Sequence, residues 1–232
     1  LGLLEAVGSE LLSIEADTIW AKIQDGSITR EDLSNLEHTR VKAELIAHKD
    51  QRLRTFITHD AARRDLVTHI YDITRGLIDN DDTLVVVDDS IVRGTTLRES
   101  IITSLSQLHP KRIVIVSSAP PIMYPDCYGI DMSQIGKFIA FEAAVALTNE
   151  AGSETIFEDI AAKCKAQLKL PVSQMQNEVK ALYEQFSLKD ISRKIAELVR
   201  PAHLEWKGKL DVIYQDIDGL HSAMPEFTGD WY

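Results

Sequence analysis

Cysteine is nearly missing from this chain: Cys127 and Cys164 are the two among 232 residues. They are too few and too far apart for a disulfide scaffold or a zinc site, so a reducing, cytoplasmic compartment is expected. Aromatic residues are scarce, at 6%. Trp20, Trp206 and Trp231 fall in three distant segments, so no platform for stacking nucleobases is expected. Basic residues are outnumbered, 25 Lys and Arg against 36 Asp and Glu, giving a net charge of −11. Such a balance argues against nucleic acid or a membrane surface as partner, and leaves room for a small anion in a local pocket. No apolar run reaches the roughly 18 residues that a membrane-spanning helix needs. The start, Leu1-Gly2-Leu3-Leu4-Glu5, has no basic stretch leading into a long apolar one, so it does not read as a signal peptide. It also lacks an initiator Met, and both ends read as cuts in a longer chain. His59, His69 and His109 have no second ligand at metal-binding spacing.

What is present is organised by hydrophobic period. In residues 1–50, Leu3, Leu4, Val7, Leu11, Leu12 and Ile14 fall near helical spacing. After the turn Asp25-Gly26-Ser27, Leu33, Leu36, Val41, Leu45 and Ile46 do so again. Arg54-Thr55-Phe56-Ile57-Thr58 is short and β-prone. Leu66, Val67, Ile70, Ile73 and Leu77 mark one face of a helix over 60–77, and Asp79-Asn80-Asp81-Asp82 is a turn.

The clearest unit follows. Leu84-Val85-Val86-Val87 is a continuous β-branched run, the pattern of a strand buried on both faces of a parallel sheet. A loop leads into a helix capped by Thr95 or Thr96, with Leu97, Ile101, Ile102, Leu105 and Leu108 on its buried face. His109-Pro110 stops it, and Arg112-Ile113-Val114-Ile115-Val116 is a second buried strand. Strand, helix and strand in so short a span make a βαβ unit. Further on, Ser187 and Asp190 approximate a capping box for a helix that Pro201 ends, and 210–224 reads as a last helix. The expected organisation is a helical segment over 1–50, an α/β core over 51–157 and a helical segment over 158–232.

The loop Asp88-Asp89-Ser90-Ile91-Val92-Arg93-Gly94-Thr95-Thr96 carries the chemistry. It leaves the carboxyl end of a parallel strand, where open α/β sheets place ligands. It opens a helix, so unpaired backbone N–H groups and the positive dipole end face outward. Gly94 allows close approach of backbone to a phosphate, and the threonine hydroxyls add donors. Carboxylates repel phosphate, but they accept hydrogen bonds from sugar hydroxyls or hold Mg²⁺. Two acids followed by an anion cradle therefore read as a sugar-phosphate site. With no Gly-Lys-Thr it is not a P-loop, and with one glycine it is not the dinucleotide fingerprint. The bland alternative is that Asp88 and Asp89 close a strand and the threonines cap a helix, with no ligand.

The stretch 85–96 resembles the phosphoribosylpyrophosphate (PRPP) motif of the type I phosphoribosyltransferases. Its Ser-Ile-Val-Arg-Gly-Thr-Thr form is similar to the glutamine-dependent amidotransferase branch. Arg54-Thr55-Phe56-Ile57, Ser117-Ser118-Ala119-Pro120 and Tyr128-Gly129-Ile130-Asp131-Met132 agree with that branch in the same order. The resemblance covers roughly 52–135. It implies a partial phosphoribosyltransferase parallel sheet flanked by N- and C-terminal helices. It implies transfer of ammonia from glutamine to C1 of PRPP with release of pyrophosphate, the first step of purine biosynthesis. Asp88 and Asp89 would hold the ribose hydroxyls and Mg²⁺, and Ser90, Ile91, Val92, Arg93, Gly94, Thr95 and Thr96 would wrap the 5′-phosphate. Arg54 would lie beside the loop that closes over PRPP and share the catalytic work. No glutaminase and no pyrophosphate loop resemble any part of this chain. The iron–sulfur cluster of some members needs four cysteines, so none is expected. The alternative is a PRPP- or nucleotide-sensing module that keeps the cradle without catalysing transfer. The sequence leaves oligomeric state open, and a homo-oligomer is compatible with it.

Overall fold

The computed structural model describes residues 2–38, 47–49, 71–73, 76, 78–126 and 132–226. The chain divides into two units, Leu1–Ala47 and His48–Tyr232. In the first, helix α1 (Gly2–Asp25) and helix α2 (Arg30–His38) are joined by a turn in which Gly26 takes a positive φ of 71°. Ile19 is buried there, whereas Leu12, Ile14 and Trp20 are exposed. The start of α2 is a reciprocal cap that the sequence reading passed over. Asp32 accepts from the Thr29 backbone N–H, and the Thr29 hydroxyl accepts from the Asp32 N–H. The Lys22 ammonium also bonds to Asp32. The hydrogen bond from Lys22, then those from Thr29, hold the Asp32 carboxyl down at about 2. An unfolded aspartate titrates near 3.8, so this support is complete above that pH and is lost as pH falls through about 2. The helical circular dichroism of wild type is expected to fall over that window. Asp32→Asn should flatten the change, and an unaltered acid limb in the variant would contradict the assignment.

A short strand β1 (Ala47–Lys49) pairs with β2 (Tyr71–Ile73). The helices expected up to 50 and over 60–77 are thus corrected at the positions described, which are extended. The rest of those stretches, with the strand expected over 54–58, lies outside the described residues.

Strand β3 (Thr83–Asp88) follows the β-branched run. Helical backbone then begins at Thr95, with π geometry over Leu97–Ile101 and helix α3 over Ile102–Ser106. Leu97, Ile102 and Leu105 are buried as expected, but the Thr96 side chain makes no capping hydrogen bond. The chain turns at His109, whose φ is 51°, and Pro110 before β4 (Arg112–Ser117). β3 and β4 are parallel, with Val85 opposite Val114 and Asp88 opposite Ser117.

The helices of the second half come next: α4 (Ile139–Glu150), α5 (Thr155–Gln167), α6 (Lys180–Tyr183) and α7 (Leu188–Val199). α4 buries Ile139, Ala143, Ala144 and Leu147. Its small residues let α7 approach with Ile191, Ile195 and Val199, all fully enclosed. The buried Lys194 ammonium between them pairs with Glu150 at 2.7 Å and with Glu197. The capping box expected at Ser187 is present, with both of its arms made to Asp190. Ser187→Ala is expected to lower stability by about 1 kcal/mol, read as a shifted urea midpoint at unchanged slope.

One element differs in type from the sequence reading. The helix expected over 210–224 is strand β5 (Lys209–Tyr214) followed by helix α8 (Ile217–Ala223). The residues alternate: Leu210, Val212 and Tyr214 are buried while Lys209 and Ile213 are exposed, which is a strand period. β5 runs parallel to β4, so the order among the described residues is β3-β4-β5. This is an α/β fold, with a three-stranded parallel sheet flanked by helices. α7 packs on β5, and Trp206 locks the lead-in to that strand by donating its indole N–H to the Pro110 carbonyl at 2.7 Å. The expectation that β3 is buried on both faces is corrected as well. Leu84 is buried, but Val85 and Val87 are more than half exposed. Central β4, with Ile113, Val114 and Ile115 enclosed, fits that pattern instead. Among the described residues, no helix is long and apolar enough to cross a membrane.

Candidate functional site

The loop after β3 lies at the carboxyl ends of the three parallel strands. It is fastened at three points. The Ser118 N–H donates to the Asp88 carbonyl at 2.9 Å and its hydroxyl to the Asp89 carbonyl at 3.2 Å. The Ile91 side chain is buried. The Val92 carbonyl accepts from the Ile139 N–H at 2.9 Å, which ties the loop to the first residue of α4.

Gly94 is required where it stands. Its φ is +68°, and a Cβ built there would lie 2.8 Å from Val199 Cγ1 and 3.3 Å from Ile139 Cγ1. Val199 ends α7, so the far half of the chain dictates a residue in this loop. The Gly94 carbonyl then accepts from the Arg98 N–H at 2.9 Å, starting the helical run. The N–H groups of Gly94, Thr95 and Thr96 therefore stand at a helix start, where the backbone supplies no intrahelical acceptor.

The two acids differ. Asp88, at the end of β3, is half-buried, and Asp89 is exposed. Asp88 accepts from the Asp89 N–H at 3.0 Å, and Asp89 accepts from the Ser90 N–H at 2.7 Å, so each carboxylate is held by the next peptide group. Burial, and to a lesser degree the neighbouring charge of Asp89, push the Asp88 carboxyl above the usual carboxylate range.

The structure thus brings Asp88, Asp89, Ser90, Ile91, Val92, Arg93, Gly94, Thr95 and Thr96 together at one end of the sheet. Arg54 lies outside the described residues, as do Cys127 and the 128–131 stretch. The sequence reading missed Tyr214, which ends β5 in register with Ser117 and, through it, with Asp88. The 210–214 alternation was the signal that could have found it. A cavity of about 550 Å³ lies away from the loop, lined by Thr103, Leu108, His203 and Trp206 among others.

No family model matches the chain. Individual proteins do. It is 34% identical over 147 residues to the amidophosphoribosyltransferase of Bacillus subtilis, a match covering 62% of this chain and 30% of that one. It is 39% identical over 97 residues to that of Haemophilus influenzae, covering 40% and 19%. With that of Escherichia coli it shares 45% over 60 residues, covering 26% and 12%. Over part of its length the chain is similar to amidophosphoribosyltransferases.

The matches span less than a third of the length of these curated relatives. Two solved structures are also similar. One is a glutamine PRPP amidotransferase from B. subtilis complexed with ADP and GMP: 33% identity, 53% of this chain, 27% of that one, TM-score 0.35. The other is described as the allosteric regulatory enzyme of purine biosynthesis: 24% identity, 87% of this chain, 30% of that one, TM-score 0.42.

Mg²⁺, which the resemblance implies, can be tested against the donor set. Among the described residues no group of three or more His, Cys, Asp or Glu could hold a metal ion. Among those residues there is thus no cage made wholly of these side chains. Mg²⁺ needs no such cage, being usually bound by one or two carboxylates together with substrate phosphates and water. Asp88 and Asp89 fit as the carboxylates for an ion arriving with its substrate.

Proposed function

We propose that the loop 88–96 binds PRPP with Mg²⁺. We further propose that this chain is the PRPP-binding portion of an enzyme that moves glutamine-derived ammonia to C1 of PRPP. The observation that carries the reading is the succession of an acid pair and an open helix start at the carboxyl end of a parallel strand. The kinship to amidophosphoribosyltransferases supports it.

Each part has a task. Asp89, exposed and held by the Ser90 N–H, keeps acceptor positions for a sugar hydroxyl, and Asp88 presents a second acceptor beside it. The N–H groups of Gly94, Thr95 and Thr96 and the threonine hydroxyls donate to the 5′-phosphate. Mg²⁺ supplies charge neutralisation for the leaving pyrophosphate. The ammonia lone pair forms a bond to C1 as the bond from C1 to the pyrophosphate oxygen breaks, and the bonding pair leaves with pyrophosphate. The new ammonium then gives up a proton to solvent. Little side-chain chemistry is needed, so holding the sugar ring by its hydroxyls and its phosphate is the main contribution of this loop.

The test is calorimetric titration with PRPP in the presence and absence of Mg²⁺, followed by an assay for ammonia-dependent pyrophosphate release. Weak, Mg²⁺-dependent binding with little turnover is the expected result. Absence of binding at millimolar PRPP contradicts the proposal. Tight binding with no detectable release favours a sensing module.

A further inference from the structure

We propose that Tyr214 is a positioning residue of this site, its hydroxyl orienting the Asp88 carboxylate toward the sugar. The inference rests on the PRPP reading for the identity of the ligand.

The argument begins with register. Asp88, Ser117 and Tyr214 are paired across β3, β4 and β5, so their side chains leave the same face of the sheet at its carboxyl end. Neighbouring strands lie about 4.8 Å apart, which places the first and third positions roughly 10 Å apart at the backbone. The residue between them is small. Ser117 is fully enclosed, and its hydroxyl is already committed to the Ala119 carbonyl at 2.8 Å. A long side chain at Tyr214 can reach across that position, and Ser117 does not compete for its hydroxyl.

Tyr214 is 6% exposed, and its hydroxyl has no hydrogen-bond partner among the described residues. A buried hydroxyl left unpaired costs about 1–3 kcal/mol, so phenylalanine would be the more stable occupant of a merely structural position. The residues below it on the same face, Leu210 and Val212, are apolar and buried, so the hydroxyl stands at the boundary between the core and the loop. Burial, and then the charge of Asp88, hold the Tyr214 phenol above its ordinary range, so it remains an O–H donor at any working pH. Asp88 has one oxygen on the Asp89 N–H, which leaves the other for a donor from the sheet side. The hydroxyl makes no direct hydrogen bond to Asp88, so one bridging water carries the contact and fixes which way the carboxylate presents its remaining lone pairs.

Tyr214→Phe tests this, because it removes the O–H and keeps the ring. The melting temperature is expected to stay or rise. Affinity for PRPP with Mg²⁺ should fall about tenfold, the size expected for a hydrogen bond to a charged group. Affinity for inorganic phosphate should not change, since phosphate uses the helix start. A third measurement needs no PRPP. With ¹³C-labelled aspartate, the Asp88 carboxyl resonance of the ligand-free chain should differ between wild type and Tyr214→Phe at neutral pH. If wild type binds PRPP and the variant binds it equally well, the role of Tyr214 is overturned and the PRPP reading stands. If wild type does not bind PRPP but the Asp88 resonance moves, the ligand is wrong and the pairing stands. An unmoved resonance with equal affinities overturns the pairing outright.

Discussion

Alanine at Gly94 is expected to lower stability by about 2–5 kcal/mol, more than any surface change in the chain. Two independent causes add. The residue sits at φ +68°, a region that a side chain enters at about 1–2 kcal/mol. Its new Cβ would also lie 2.8 Å from Val199 Cγ1, inside any real contact, and overpacking of that kind costs about 1–3 kcal/mol. The steric part should be separable. In a Val199→Ala background the same substitution ought to cost less, and the difference is the coupling between loop and α7. Equilibrium unfolding in urea measures all four corners of that cycle. A loss below about 0.5 kcal/mol at Gly94, the size of an ordinary surface change, contradicts the packing described.

The second large effect concerns binding. Asp89→Asn is expected to weaken PRPP with Mg²⁺ by about 10- to 100-fold, because a charged acceptor for a sugar hydroxyl and a carboxylate for the ion go together. Inorganic phosphate, which needs neither, should bind within about twofold of wild type, a difference below about half a kcal/mol. Equal losses for both ligands would contradict a sugar and metal role for this residue. Asp88→Asn should behave differently in stability. Its carboxyl is raised by burial, so the ionised form is penalised in the folded chain. The sign follows: Asp88 favours folding most when protonated, and that support is lost as pH rises through its folded value. The amide variant, which keeps an oxygen for the Asp89 N–H, is therefore expected to be as stable as wild type or more so at neutral pH.

The site was legible where the information is local. A β-branched run, two acids, one glycine and two threonines in order are a strand end, a loop and a helix start, and they form those elements. Ser187 with Asp190 is legible for the same reason. What escaped depends on partners distant in sequence. Asp211 interrupts the apolar run of 209–214, and Arg112, 2.6 Å away on β4, joins Lys209, 3.1 Å away, in holding that carboxylate in mid-strand. Without the Arg112 partner the segment read as a helix, and Tyr214 was lost as a site residue. Gly94 was assigned to phosphate approach from the loop alone. The positive φ and the approach of Val199 give it a reason from packing that no local motif contains. Exposure of Val85 and Val87 is likewise set by what lies against β3, not by their own character. The Thr96 cap failed because helical backbone already begins at Thr95, so Thr96 has helical φ and ψ and its side chain makes no capping bond.

The central claim is that backbone amides after the acid pair receive a phosphate. Titration of the ¹⁵N-labelled chain with PRPP and Mg²⁺ tests it most directly. The amide resonances of residues 90–96 are expected to move together along one saturation curve, with Gly94, Thr95 and Thr96 moving most. Saturable shifts confined to the cavity of His203 and Trp206, with residues 90–96 unmoved, would contradict it.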